Sequence, residues 1–310
     1  MKIIFNALIP VFLIIILGWG AIKYKFFEKE AKKVLSRYLI YFAFPALLFS
    51  CAEKLGLSNV SIKFVEVFFM TLLLMYIMSL LFNKFVFKIK GKNGAINAFC
   101  CSFPNTSFLG IPILAIVLGK SSMAPIIVGN IIISFTIIPL MIMICSFVDG
   151  DSSFLKQGVK NIWETIKSPM VFAPILGAVF AGLHLRVPIQ IDGGIKMLGE
   201  STYACALFII GLTMAEIKFK FNLNILTNVI FKLLVNPLIG LILGLLFGLH
   251  GFLFKVMLLL FAMPTAVTPT IYSHHYESYE DGAACSLFWS TFLSPITIGI
   301  IIFIIIHFNF

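Results

Sequence analysis

Two short segments place proline beside small polar residues inside otherwise apolar runs. The first is Phe103-Pro104-Asn105-Thr106-Ser107-Phe108-Leu109-Gly110-Ile111-Pro112, and the second is Met263-Pro264-Thr265-Ala266-Val267-Thr268-Pro269. A proline in a helix removes one donor and frees a carbonyl one turn back, and hydrocarbon cannot satisfy what is freed. Such a break persists where the released backbone lines a cavity. Each break ends one half-helix and begins another. The beginnings carry free amides and partial positive charge, which suit a carboxylate. The ends and unwound carbonyls suit a cation or a proton donor. Asn105, Thr106, Ser107, Thr265 and Thr268 add neutral hydrogen-bonding groups, and Pro104, Pro112 and Pro264 shape the chain around them. No Asp, Glu, Lys or Arg lies within either break. Donors without fixed negative charge favour a small organic anion over a cation. Paired Gly/Pro-interrupted segments in matching halves of a chain mark the substrate site of a transporter. The competing reading is that the prolines merely kink two packed helices.

Other polar residues in apolar surroundings carry two readings each. Lys232 lies in Asn228-Val229-Ile230-Phe231-Lys232-Leu233-Leu234. It is either a buried counter-charge for a substrate or a long side chain snorkelling to the inner surface. Glu200 is a coupling candidate as a buried proton carrier, or a carboxylate facing outer water. Asn130 and Asn236 are expected to make interhelical hydrogen bonds. His274 and His275 lie beside Glu277, Glu280 and Asp281, but without metal-ligand spacing they read as a solvated helix end. The six cysteines all fall in apolar runs with no CxxC pair, so they are expected to be buried inert thiols. No catalytic set, metal site or cofactor motif is present, and neither GxxxxGK[ST] nor HExxH occurs.

The elements that must position these residues follow from composition. The chain is 60% hydrophobic and 12% charged, with 34 Phe and a mean hydropathy of +1.07. This is the composition of an all-α polytopic membrane protein. Apolar runs predict ten spans, at 3–22, 34–52, 64–87, 94–119, 122–147, 170–187, 195–215, 225–249, 252–276 and 283–306. No small-x-small cleavage site follows the first run, so it reads as a retained helix. The polar segment 149–168, with Lys156, Lys160, Trp163 and Lys167, reads as an amphipathic helix on the cytoplasmic surface. The net charge of +10 is concentrated in loops of one side, which argues for the positive-inside pattern rather than for a nucleic-acid partner. It predicts both termini outside the cytoplasmic membrane.

Pro264 lies 160 positions after Pro104, and the offset holds into the following helices. Five spans precede the linker and five follow it. An odd number per half gives the halves opposite orientation, an inverted repeat of 1–148 and 169–310.

These motifs resemble a known family. The segment from Pro104 to Pro112 resembles the N-T-x-F-x-G-x-P signature of the auxin efflux carriers. Ala262-Met263-Pro264-Thr265-Ala266 resembles their A-M-P-x-A segment, and Phe44-Pro45-Ala46-Leu47-Leu48-Phe49 looks like the end of their second helix. Phe231-Lys232-Leu233-Leu234-Val235-Asn236-Pro237-Leu238 is similar to their K-L-x-x-x-P-L segment. The resemblance implies a ten-helix, five-plus-five inverted repeat with a proline crossover, akin to bile-acid symporters and sodium/proton antiporters. It implies a homodimer with an elevator-like transport domain and a carboxylate substrate such as malate, malonate or an auxin-like acid. Asn105 would then contact the substrate carboxylate. The chain lacks the long cytoplasmic loop of the plant exporters, which favours a bacterial-type carrier.

The expected function is therefore transport of a small organic anion, alone or coupled to a proton or sodium ion. An ion antiporter of the same architecture is the alternative, although it needs a carboxylate at the crossover. An intramembrane enzyme would need a constellation that is missing, and a sensor would need an output domain.

Overall fold

The computed structural model describes residues 2–28, 30–55, 60–148, 163, 167–217 and 220–307. Apart from Trp163, Lys167 and Ser168, the segment expected to lie on the cytoplasmic surface is outside the described residues. All regular elements among the described residues are helical. In hydrocarbon a helix satisfies its own peptide groups, which is why runs of Leu, Ile and Phe adopt it.

Six helical stretches are long and apolar enough to cross a membrane: Glu30–Lys54, Ile62–Val86, Lys120–Val148, Ile189–Glu216, Leu223–Leu246 and Glu280–His307. Four shorter apolar helices accompany them, at Leu8–Lys23, Thr106–Val117, Pro169–Gly182 and Gly251–Ala262. Two of these four adjoin the breaks, because the prolines divide what would otherwise be full-length helices. The chain is therefore a multi-pass membrane protein.

The helices fall into two compact units, each drawn from both halves of the sequence. The first comprises Met1–Ser61, Ser107–Val128 and Ile166–Glu216. Its main helices are α1 (Lys2–Lys23), α2 (Glu30–Tyr38) and α3 (Phe44–Leu55), then α6 (Ile111–Val117), α9 (Pro169–Gly182) and α10 (Ile189–Glu216). Two glycine contacts set its packing. On α1, a Cβ at Gly18 would lie 2.2 Å from the carbonyl oxygen of Phe208 on α10. On α9, a Cβ at Gly177 would lie 2.5 Å from the carbonyl oxygen of Phe49 on α3. Only glycine permits backbones this close, and close backbones maximise dispersion where lipid offers no hydrophobic drive. Ion pairs tie the helix ends. Lys32 pairs with Glu216, and Lys54 Nζ donates to Asp192 Oδ1 at 2.7 Å.

The second unit comprises Ile62–Thr106, Gly129–Thr165 and Ile217–Phe310. It holds α4 (Ile62–Val86), α5 (Gly91–Ser102), most of α7 (Met123–Phe135) and α8 (Ile137–Val148) from the first half. From the second come α11 (Leu223–Ile230), α12 (Asn236–Leu246), α13 (Gly251–Ala262), α14 (Thr268–His275) and α15 (Glu280–His307). A π turn at Phe231–Val235 joins α11 to α12. The buried rings of Phe64, Phe68 and Phe261 stack in series, with centroids 5.5 and 4.7 Å apart.

Candidate functional site

Both breaks arise from the same local stereochemistry. The proline ring crowds the preceding residue and drives it out of the helical region. Phe103 before Pro104 has φ −85° and ψ 104°, and Met263 before Pro264 has φ −63° and ψ 143°. Helix α5 therefore stops at Ser102 and α13 at Ala262. Both half-helices also start alike. Gly91 (φ +62°) opens α5 and Gly251 (φ +70°) opens α13, in a left-handed conformation that glycine adopts without strain. These glycines are again 160 positions apart.

The two breaks meet within the second unit. Pro104 and Thr265 form an antiparallel bridge. The Asn105 amide donates to the Pro264 carbonyl at 2.8 Å, and the Ala266 amide donates to the Phe103 carbonyl at 3.3 Å. Each break thus answers part of the other's backbone demand, which resolves the cost of unwinding in an apolar setting. Side chains complete the crossing. Thr265 Oγ1 donates to the Cys100 carbonyl at 2.9 Å, and the Thr265 amide donates to Ser290 Oγ at 3.1 Å. Thr106 Oγ1 donates to Asn130 Oδ1. Pro104, Asn105, Thr106, Pro264 and Thr265 are all buried.

Lys232 is fully buried, at 0% exposure, so it does not snorkel. Its Nζ donates to the Phe261 carbonyl at 3.2 Å, in the last turn of α13. One turn on, Asn236 Nδ2 reaches the Ser102 carbonyl at 3.5 Å, at the end of α5. Among the described residues, Lys232 is the one buried Lys, Arg, Asp or Glu. The remaining expected site residues are distributed differently. Thr268 is the first residue of α14 and is half-buried. Ser107 and Pro112 belong to the first unit, where Pro112 is the second residue of α6, within the helical stretch Thr106–Val117. Glu200 also lies in the first unit, exposed on α10, and no buried proton carrier forms there.

Sequence reasoning passed over three contributors. Ser290 holds the second break, and Asn130, expected only to bond between helices, holds the first; they are 160 positions apart, so the proline offset would have found both. The third is a ring of amides. Asn83 Nδ2 donates to Asn97 Oδ1 (3.0 Å), Asn97 Nδ2 to Asn224 Oδ1 (3.0 Å), and Asn224 Nδ2 to Asn83 Oδ1 (3.2 Å). Tyr279 donates to the ring at Asn224, and Asn228 donates to Tyr279 Oη and Ser286 Oγ, both at 2.9 Å. The network joins α4, α5, α11 and α15 of the second unit.

The histidine cluster is a surface feature. His274 Nδ1 lies 2.7 Å from Glu280 Oε2, with both side chains well exposed. Among the described residues, no three His, Cys, Asp or Glu are grouped to hold a metal. Beside it, Lys220 is held above the usual lysine range by its hydrogen bond to Asp281 and by that carboxylate's charge.

The signature of a membrane transport protein family matches residues 3–302. The chain belongs to that family, the one that contains the auxin efflux carriers. This membrane transporter is 23% identical to the "Uncharacterized transporter YfdV" of Escherichia coli K12, over 90% of each chain. It is 21% identical to the "Putative malonate transporter" of Rhizobium meliloti, over 96% of its own length and 94% of the relative's. It is 19% identical to "Auxin efflux carrier component 5" of Arabidopsis thaliana, over 88% of each. A small-molecule substrate and a bilayer setting follow from the family. It is a family of transporters, not of enzymes.

Proposed function

We propose that this transporter carries a small organic anion, of the class of malate, malonate or an auxin-like acid, across the cytoplasmic membrane by elevator-type alternating access. The observation that carries the reading is the charge of the crossing. Two broken helices meet in a buried polar knot, and the one buried Lys, Arg, Asp or Glu among the described residues is a lysine. An uncompensated charge in a low-dielectric interior is costly, and an anionic substrate supplies the missing partner. The antiporter alternative lacks its carboxylate, since every described Asp and Glu is half-buried or exposed. In this reading Asn105, Thr106, Thr265 and Thr268 provide hydrogen bonds to the substrate. Pro104 and Pro264 shape the crossing, and Lys232 supplies the field. The two relatives named for auxin and malonate support the class of substrate, not its identity.

The same reading takes the chain as ten spans in two inverted halves, 1–148 and 169–310, joined by 149–168, with both termini outside and two copies forming a homodimer. Contacts repeated at an offset of 159 or 160 positions support the repeat. Gly177 and Phe208 lie 159 positions after Gly18 and Phe49, so the glycine-to-carbonyl contact of α1 on α10 recurs as that of α9 on α3. Asn130 serves Thr106 as Ser290 serves Thr265. A proton or a sodium ion is the candidate coupling ion.

The test is flux in proteoliposomes. Malate, malonate, other short carboxylates and indole-3-acetate are offered with and without sodium, proton and potential gradients. Saturable flux of one carboxylate, lost in Asn105→Ala while insertion is retained, is the expected result. Wild-type flux in Asn105→Ala would remove the crossing as the site, and no anion flux under any gradient would sink the carrier reading.

A further inference from the structure

The first unit holds a charged cavity at one of its ends. Helices α3 and α9 lie backbone to backbone at Gly177, where an added Cβ would stand 3.1 Å from the Glu53 amide nitrogen. The next residue, Lys54, pairs with Asp192 in the first turn of α10. Between these helix ends and the turn that follows α9 opens a cavity of about 700 Å³. Glu53, Lys54, His184, Arg186 and Asp192 line it, together with Leu185 and Ile189. Lys54 and Asp192 answer each other, whereas among the described residues neither Glu53 nor Arg186 has an ion-pair partner. Two opposite charges therefore face one cavity without meeting. A second part of the unit shows how such a turn is otherwise filled. His184 (φ +54°) follows α9 and lies 159 positions after Lys25 (φ +60°), which follows α1. The residue 159 positions before Arg186 is Phe27, whose ring packs edge-on against Phe208 with centroids 5.7 Å apart. The residue 159 positions after Glu53 is Leu212, which is fully buried. The two places that carry apolar side chains beside α1 thus carry an arginine and a carboxylate beside α9. Leu183, Ile189 and Ile191 are exposed next to the cavity, and in a membrane-spanning chain such side chains meet hydrocarbon.

We propose that this cavity binds the headgroup of a phospholipid that carries a primary ammonium, of the ethanolamine type. Arg186 takes the phosphate, whose oxygens suit the two-pronged guanidinium. Glu53 takes the ammonium, which donates hydrogen bonds to a carboxylate where the quaternary nitrogen of choline has none to give. The acyl chains run over Leu183, Ile189 and Ile191. A zwitterion matches the wall better than a dicarboxylate does, because Glu53 repels a second negative charge. In the orientation proposed above the lipid belongs to the outer leaflet. The site lies in the unit that does not contain the crossing, and it holds a component of the membrane rather than the cargo.

The experiment uses the full-length protein, purified and stripped of lipid in detergent, and needs no transported substrate, so it fails independently of the carrier reading. Melting midpoints are followed as dioleoyl phosphatidylethanolamine or dioleoyl phosphatidylcholine is added. For the wild type, the ethanolamine lipid is expected to half-saturate at a concentration at least about threefold below that of the choline lipid. Glu53→Gln keeps the shape, loses the charge and is expected to bind the two alike. Arg186→Gln is expected to weaken both by at least about fivefold. A wild type that ranks the ethanolamine lipid no higher than the choline lipid overturns the proposal. So does a preference unchanged in Glu53→Gln, or an affinity unchanged in Arg186→Gln. Should Glu53→Gln not fold, Arg186→Gln decides, since Arg186 is exposed and has no ion-pair partner among the described residues. Soluble glycerophosphoethanolamine has the headgroup without the chains and is expected to give no saturable rise below about 10 mM. A rise equal to that with lipid would make the occupant a free zwitterion and overturn the proposal. Malonate that stabilises the wild type but not Arg186→Gln would make the cavity an anion vestibule and overturn it as well.

Discussion

Replacing Gly18 or Gly177 by alanine tests the packing and the repeat together. At Gly18 the new Cβ would lie 2.2 Å from the Phe208 carbonyl oxygen and 3.2 Å from the Cα of Gly211. At Gly177 it would lie 2.5 Å from the Phe49 carbonyl oxygen and 3.0 Å from the Ala52 Cβ. A comfortable carbon-to-oxygen contact needs about 3.3 Å, so the paired helices must separate by roughly 1 Å in each case. The obstructing atoms are backbone and cannot rotate aside. Overpacking of this kind costs about 1–3 kcal/mol, which corresponds to a fall of roughly 2–10 °C in melting midpoint. Gly193 on α10 provides the control, since the Cβ that alanine would add there meets no heavy atom within 4 Å. Gly193→Ala is expected to raise the midpoint slightly, because alanine is the better helix former by about 1 kcal/mol. The assay is thermal unfolding of purified protein, followed by exposure of buried thiols to a fluorogenic maleimide. Equal melting of Gly18→Ala, Gly177→Ala and the wild type would refute the close approach. A large loss at one glycine and none at the other would refute the equivalence of the two contacts.

Further perturbations have defined outcomes. Asn97→Ala opens the amide ring and leaves unmet partners on buried Asn83 and half-buried Asn224, so stability should fall by about 1–3 kcal/mol, read by thermal unfolding. Lys32→Met severs a half-exposed pair with Glu216, and its cost should stay below about 1 kcal/mol and shrink with added salt. Asp281→Asn should bring the Lys220 titration down towards the ordinary lysine value, measured by NMR of isotope-labelled lysine. Because the folded value is raised, the pair's contribution is complete below the unfolded lysine pKa of about 10.4 and is lost as pH climbs through the folded value. Changes of pH around neutrality should therefore leave this contact untouched.

The breaks were legible because their cause is local: proline acts on the residue before it, and Phe103 and Met263 obey. The offset between them was legible for the same reason. Lys232 was not, because burial and snorkelling differ in the rotation and tilt of a helix, and an apolar run does not announce a π turn. The amide ring was invisible because its members are spread from Asn83 to Tyr279 and meet only when α4, α5, α11 and α15 pack. Glu200 illustrates the converse: a carboxylate in an apolar run invites a role, yet its side chain lies on the surface of its unit. The apolar runs located the helices well, but the units they form cut across the order of the chain.

The crossing of the two breaks is fastened by peptide groups, from Asn105 to Pro264 and from Ala266 to Phe103. Peptide groups are common to every residue. A knot tied in the main chain keeps its form while the side chains around it are exchanged, provided that the prolines remain to unwind the helices. Such a scaffold can be refitted to a new cargo by a few substitutions without being rebuilt. That makes cargo preference one of the quickest traits of the chain to diverge, and its architecture one of the slowest.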